Sequence, residues 1–420
     1  AKLSLSKLSL SPTRAPRERC CSLLAVDADS SSMAMCKICG QASPSFHRPE
    51  KTIRGLVVSR CEACGFVQGN LETESAKKGE VAPRNYLSCD GDYASVRVGK
   101  AQMLSSHREF LQAHLKEIPD RSSILDVAAA RGDFAEFLLS EFPDFKVRLE
   151  EHSPQMFGDL LQKMGRHKNM TVSMATGSSG YPSNAFDFIY ATHSLEHFRN
   201  PREVMERWTH ALKESGTLFL DVPDVTKIDL SSVVDDHFYD EHLSYFSQAH
   251  LEKLGSLVGL RVSDSRQLGG SVTVTMVHDK HLSIDEPAPP LFTGLTVTKF
   301  LEAYNKNLVQ NRNGLSSKVM SLASRISRHS GSAIAIGCGR KFDAYRVYGA
   351  MDIELFDYFF DTYMSRAFSN FHGRPIFSLD AISEVPLDNP IFVVFGSSSL
   401  EAMTRLLVNS GFHQDQVIAV

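Results

Sequence analysis

From Ser123 onward, short runs of β-branched and aromatic residues alternate with stretches whose apolar residues recur every three to four positions. SILDV, FKVRLEE and MTVSM read as strands, and RGDFAEFLLSEF and SPQMFGDLLQKM between them read as helices. That βαβαβ order predicts a doubly wound parallel sheet. The alternation continues through FDFIY, the helical PREVMERWTHALKE, the strand GTLFLDVP and the helical QAHLEKLGSLVG. Two further strands, LRVSDSRQ and SVTVTMVH, flank a Gly-Gly turn and predict a hairpin, which brings the sheet to seven strands with an antiparallel edge. Three prolines in DEPAPP, residues 285–290, then break the pattern. Residues 291–328 predict one or two polar helices, and from Ser332 a second, smaller set of βα units follows (SAIAIGCG, KFDAYRVYGAM, ELFDYFF, GRPIFS, PIFVVFGS, SLEAMTRLLVNSG, QVIAV). The fold class expected is α/β, with a Rossmann-like core and a smaller C-terminal Rossmann-like α/β domain.

At 420 residues the chain exceeds what one core usually holds, so several domains are expected. The boundaries predicted are a disordered or targeting segment over 1–32, a cysteine module over 33–85, the core over 86–284, linker helices over 285–331 and the C-terminal domain over 332–420. Hydrophobic residues make up 42%, charged residues 22%, and the net charge is −4, which is globular composition without the basic field that nucleic acid would require. No run of apolar residues is long enough to span a membrane. A small-molecule substrate is therefore expected, with neither nucleic acid nor membrane as partner. The first 35 residues are rich in Ser, Lys and Arg and carry no acid before Glu18, as organellar transit segments do. The expected location is cytoplasmic, or organellar if that segment is a transit peptide.

Four of the eight cysteines change the picture. Cys36-Lys-Ile-Cys39-Gly and Cys61-Glu-Ala-Cys64-Gly enclose 21 residues between them. Two such knuckles supply four thiolates for a tetrahedral zinc ion, each followed by a glycine that eases the turn. A closed four-thiolate site leaves no open coordination position, so the metal expected is structural. A nucleic-acid-binding zinc ribbon is the competing idea, but Lys51, Arg54 and Arg60 lack dense aromatic interleaving.

Ile124 to Phe134 covers the first strand-to-helix turn, where a doubly wound sheet binds its ligand. Asp126 ends the strand, Ala128 and Ala130 occupy positions where glycine is common, and Gly132 remains. Alanine permits close backbone approach but is not expected at positive φ. Nineteen residues beyond Gly132 stands Glu151, placed to accept hydrogen bonds from ribose hydroxyls or, alternatively, to charge a helix start. These turns suit NAD and S-adenosylmethionine alike. The later segments, Phe186 to His197 with its Leu195-Glu196-His197 and then Leu212-Lys213-Glu214-Ser215-Gly216, resemble the class I methyltransferase pattern, which selects S-adenosylmethionine. Asp187 is expected to position its strand, and His193, at the carboxyl end of strand four, to face the cofactor crevice.

The segment Asp236 to Ser247 brings Tyr239, Glu241 and His242 together. Imidazole titrates near neutrality and phenol stabilises an oxyanion, so the trio forms an acid/base cluster; a solvated loop with one capping histidine is the plainer alternative. The order of four-cysteine module, methyltransferase core with Glu-His-Leu-Ser-Tyr-Phe-Ser and smaller α/β domain resembles the zinc-containing sugar C-methyltransferases, which act on nucleotide-linked 4-keto-deoxysugars. The resemblance implies His242 as the base, Tyr239 as stabiliser of the enolate and Glu241 as its orienting neighbour, with a keto-sugar carbon as acceptor. The C-terminal domain departs from that family: Gly337-Cys338-Gly339-Arg340-Lys341-Phe342-Asp343 keeps the lysine but puts Phe342 where glycine would let a phosphate or sugar approach. O-methylation of another small molecule, and a non-catalytic assembly role, stay open as alternatives.

Overall fold

The computed structural model describes residues 34–47, 56–71, 101–174, 180–228, 230–231, 233–234, 237–238, 242–268, 270–280, 295–362, 364–366, 370–395 and 400–420. Among them no helix is long and apolar enough to cross a membrane.

The two Cys knuckles are turns between short strands. β1 (Ala34–Met35) pairs with β2 (Ala42–Ser43), and β3 (Ser45–His47), β4 (Leu56–Arg60) and β5 (Val67–Leu71) form an antiparallel sheet. Each knuckle closes on a backbone bond, Gly40 N–H to Cys36 O at 2.9 Å and Gly65 N–H to Cys61 O at 3.0 Å. Gly40 and Gly65 sit at φ 72° and 73°, the left-handed conformation that glycine adopts without steric cost.

Helix α1 (Ala101–Leu115) precedes the main sheet, and the elements from there run β6 (Ser123–Val127), α2 (Asp133–Glu141), β7 (Lys146–Glu151), α3 (Pro154–Met164), β8 (Met170–Met174), β9 (Phe186–Thr192), α4 (Pro201–Ala211), β10 (Leu212–Pro223), β11 (Ser244–Tyr245, outside this sheet), α5 (Gln248–Leu257), β12 (Leu260–Leu268) and β13 (Ser271–His278). The helices start where the sequence provides caps. Ser153 accepts from Met156 N–H ahead of Pro154, and Asn200 accepts from Glu203 N–H ahead of Pro201, each proline standing where its missing N–H costs nothing.

The seven strands of the sheet are ordered β12-β13-β10-β9-β6-β7-β8, parallel except for the β12–β13 hairpin, which runs antiparallel against β10. The chain reverses direction across the sheet between β6 and β9, and the crevice at the carboxyl ends of these strands is where such sheets bind ligand. Strand alternation sorts the core: Leu218, Leu220 and Val222 of β10 enter the cluster around Trp208 and Leu254, while Phe219 enters the opposite one with Phe110, Phe134 and Tyr190.

The knuckles join this core. Cys36, Ile38, Cys61, Cys64 and Phe66 belong to the same buried cluster as Trp208, and the Phe66 ring lies 5.4 Å from that of Phe246. β11 pairs antiparallel with β5, so the sheet of the cysteine segment takes a strand from beyond β10.

Two helices, α6 (Leu295–Asn313) and α7 (Leu315–Ser327), lead to β14 (Ala333–Ile336), α8 (Arg340–Tyr348), β15 (Tyr358–Phe360), β16 (Asn370–Phe371), β17 (Arg374–Phe377), β18 (Ile391–Val394), α9 (Leu400–Asn409) and β19 (Val417–Ala419). The sheet order is β16-β17-β15-β14-β18-β19, parallel except for the edge strand β16. Phe342, in the first turn of α8, is fully buried, with the rings of Phe395, Phe371, Phe359 and Phe356 4.9 to 6.0 Å away. It is a core anchor of this unit, and this packing accounts for a large apolar residue at that turn.

Candidate active site

The turn after β6 is built from strained backbone. Ala128 and Ala130 stand at φ 50° and 53° and Gly132 at 76°. The left-handed alanines correct the expectation drawn from their side chains: the surrounding contacts impose the conformation at a cost of roughly 1–2 kcal/mol each. Part of the hold is visible. Ala129 N–H donates to Glu150 O at 2.8 Å, Gly132 N–H to Ala129 O at 2.9 Å, and Ala130 N–H to Glu151 Oε2 at 2.8 Å. Gly132 is required, because a Cβ there would come within 2.8 Å of Leu160 Cδ2.

Glu151 is buried at the end of β7, where Oε1 accepts from both His152 N–H and Ser153 N–H at 2.8 Å. Burial opposes its ionisation, but the hydrogen bonds from His152, Ser153 and Ala130 prevail and hold the carboxyl down at about 2. It thereby ties the turn after β6 to the start of α3. Asp126 is buried at the carboxyl end of β6. Asp187, at the start of β9, accepts from Ser123 N–H at 2.8 Å and Lys213 Nζ at 2.7 Å and locks the amino ends of three strands.

His193 follows β9 directly, at φ 44°. Its Nε2 lies 3.1 Å from Asp221 Oδ2 and 3.3 Å from Ser271 Oγ, and its Nδ1 lies 3.5 Å from Glu196 Oε1. Burial disfavours the cation, yet the pairing with Asp221 and then Glu196 overrides it and raises the imidazole to about 10. Asp221, fully buried in β10, also receives Thr273 Oγ1 at 2.7 Å and faces His107 Nε2 at 3.3 Å. Despite burial, the contacts with His107 and His193 keep its carboxyl well below the ordinary range.

His242 is buried, and its ring stands 4.9 Å from that of His197 in an edge-to-face arrangement. Glu196, His197 and His242 bring one ligand-type atom each to within 4.8 Å of one another. Tyr239 and Glu241 lie outside the described residues. The next residue, Leu243, is pinned from two directions: its N–H donates to Glu196 O at 2.8 Å, and its carbonyl accepts from Gly69 N–H at 3.1 Å and Lys37 Nζ at 2.7 Å. A Cβ on Gly69 would stand 3.1 Å from His242 O and 2.7 Å from Leu56 Cδ1, so that approach of β5 requires glycine.

The four cysteines converge. Cys36 Sγ is 3.6 Å from Cys64 Sγ, and Cys39 Sγ is 3.4 Å from Cys61 Sγ and 3.5 Å from Cys64 Sγ. A tetrahedron of sulfurs about 2.3 Å from a zinc ion has edges of roughly 3.8 Å. The donor set, all thiol and with all four atoms within 4.8 Å of one another, fits such an ion. The contact with Cys64 lowers the Cys36 thiol, whereas burial raises that of Cys39. Lys341 stands in the first turn of α8, in the C-terminal sheet unit.

Inspection of the sequence alone misses Asp221, Lys37 and the role of Glu196. Asp221 had a signal, a lone acid inside the apolar strand GTLFLDVP. Lys37 had none, because its acceptors lie 32 and 206 positions away.

A seven-stranded sheet in this order, with a strained turn after its first strand and an acid closing its second, defines a class I, Rossmann-like methyltransferase domain. Residues 100–264 match the family model described as methyltransferase domain, and the chain carries an S-adenosylmethionine-dependent methyltransferase there. No curated protein matches the chain. Solved structures similar to it include an S-adenosylmethionine-dependent methyltransferase from Aquifex aeolicus, at 20% identity over 42% of this chain and 97% of that one with a TM-score of 0.34. A protein of Pyrococcus horikoshii OT3 is 18% identical over 44% of this chain and 95% of its own, with a TM-score of 0.36. A methyltransferase from Mesorhizobium loti is 11% identical over 41% and 97%, with a TM-score of 0.34.

Two outcomes are expected of this site. Ala128→Gly or Ala130→Gly relieves left-handed strain while adding chain entropy, so chemical denaturation should show stability unchanged or raised by up to about 1 kcal/mol; a clear loss would contradict the strain. Because the folded-state affinity of His193 for its proton is raised, its contribution is complete below about pH 6.5 and is lost as pH climbs through about 10. Urea midpoints across that window should fall in the parent protein and stay flatter in His193→Gln.

Proposed function

We propose that this methyltransferase acts on carbon, next to the carbonyl of a keto-sugar or related compound, with His242 as the base and a zinc ion held by Cys36, Cys39, Cys61 and Cys64. The observation that carries this reading is His242 itself: buried, on a loop anchored to the turn after β9, and beside the carboxyl edge where the cofactor turn lies. Ser194 adds a fit for a polar ligand there, since its buried hydroxyl finds no partner among the described residues.

Asp126, Ala128, Ala130, Gly132, Glu151 and His193 are the residues assigned to S-adenosylmethionine. When bound, it supplies a methyl group already activated on a sulfonium. What remains for the protein is alignment and the creation of a carbon nucleophile. His242 takes the proton beside the carbonyl, leaving an enolate whose oxygen Tyr239 stabilises, and Glu241 orients the imidazole. Cys36, Cys39, Cys61 and Cys64 would hold a zinc ion whose contribution would be structural, tying together the two knuckles from which Lys37, with Gly69 of β5, reaches Leu243. The C-terminal sheet unit is assigned to substrate binding, with any nucleotide of the acceptor seated away from the turn that Phe342 fills.

Product analysis with S-adenosylmethionine and a panel of keto-sugars tests the acceptor class, a new carbon–carbon bond being the expected result and an O-methyl product the one that redirects it. His242→Ala should lower turnover by about 10²-fold or more while calorimetry shows cofactor binding kept; full turnover in that variant would remove the base assignment. Reduced, purified protein should contain one zinc per chain, lost with Cys61→Ser, and its absence from the parent protein would refute the metal.

A further inference from the structure

Glu196 is a buried acid that the scheme above does not use. Its side chain is 1% exposed, and neither carboxylate oxygen accepts a hydrogen bond among the described residues. The groups facing it are imidazoles: His193 Nδ1 at 3.5 Å, His197 Nε2 at 3.8 Å and a ring nitrogen of His242 within 4.8 Å. A buried carboxylate without hydrogen bonds is costly unless opposite charge compensates it.

The acids of this region are not equally partnered. Asp221 has His107 and His193 against its carboxylate and accepts from Thr273 Oγ1, whereas Glu196 shares His193 and, among the described residues, otherwise faces only His197 and His242. We infer that Glu196 is a positioning residue for the base: its carboxylate stabilises the imidazolium that forms when His242 takes the acceptor's proton. In that step the carbon–hydrogen bond breaks, its electron pair stays on the substrate as the enolate, and the proton passes to a ring nitrogen of His242. The new cation then faces the Glu196 carboxylate. The backbone adds to the coupling, because Glu196 O holds Leu243 N–H at 2.8 Å and thereby fixes the loop on which His242 sits.

The other titratable or charged groups facing His242 are His197 on the turn after β9, Tyr245 on β11 with its ring 6.2 Å away, and Lys37, which binds the neighbouring carbonyl. Tyr239 and Glu241, on the same loop, lie outside the described residues.

This inference rests on His242 as the proton acceptor, and its test is chosen to be independent of turnover. Histidine ring signals of the full chain, labelled with carbon-13 and assigned by His242→Gln, are followed by NMR against pH. Glu196→Gln, equal in shape and without charge, should weaken proton binding at His242 by about tenfold or more. Glu196→Asp should weaken it less, and Glu203→Gln, on the exposed first turn of α4, should leave it unchanged. An unaltered His242 titration in Glu196→Gln overturns the assignment. So does a bound divalent metal that disappears with Glu196→Gln, since the cluster would then hold a cation in place of a proton. If Glu196→Gln fails to fold, the comparison of Glu196→Asp with Glu203→Gln decides by the same criterion. Loss of methyl transfer in His242→Ala is a separate readout, so the two readings fail independently.

Discussion

The backbone of Leu243 is the point on which the site depends. Its N–H reaches the turn after β9, and its carbonyl receives both the amide of Gly69 and the ammonium of Lys37. A buried amide and carbonyl must find partners within the protein, and here those partners come from the turn after β9 and from the cysteine segment. The loop that carries His242 is therefore fixed by segments far from it in sequence. Gly69 eases the close approach of β5 that brings the first of these bonds to the carbonyl.

The knuckles extend this constraint. Lys37 lies between Cys36 and Cys39, and its own N–H donates to the Gln68 side chain at 2.8 Å. His250, in the first turn of α5, bonds to the Cys64 carbonyl at 3.3 Å and to Ser247 at 2.9 Å. Burial lowers that imidazole to about 4, which keeps it neutral against the apolar ring of Phe66, 5.3 Å away. The cysteine segment is thus embedded in the packing of the main sheet. Its chemistry and the position of His242 are mechanically linked.

Buried charge is concentrated at one edge of the main sheet, where β9 and β10 end. Asp221 and Glu196 are removed from water together, and the half-buried His193 between them compensates both. Perturbed acids and imidazoles of this kind gather where chemistry needs them. The central strands β6, β9 and β10 place apolar residues on both faces, as strands covered by helices must.

The sequence by itself determined the order of helices and strands in the main sheet, with the Gly-Gly turn marking the antiparallel edge, but Leu212–Glu214, expected to continue the helix, belong to β10. It also determined the four cysteines as one cluster, because the two knuckles repeat the same spacing and the same glycine. Only the tertiary structure decided that Ala128 and Ala130 adopt a left-handed conformation, for the side chain favours the opposite and the surrounding contacts prevail. Phe342 was legible as a departure at a turn, and its burial among four other rings supplies the reason. Glu196, Asp221 and Lys37 acquire their roles from partners dozens to hundreds of residues away. Local pattern encodes period and turn chemistry, whereas the pairing of buried charges and orphan backbone groups is set by which segments the fold brings within 3 to 4 Å of each other.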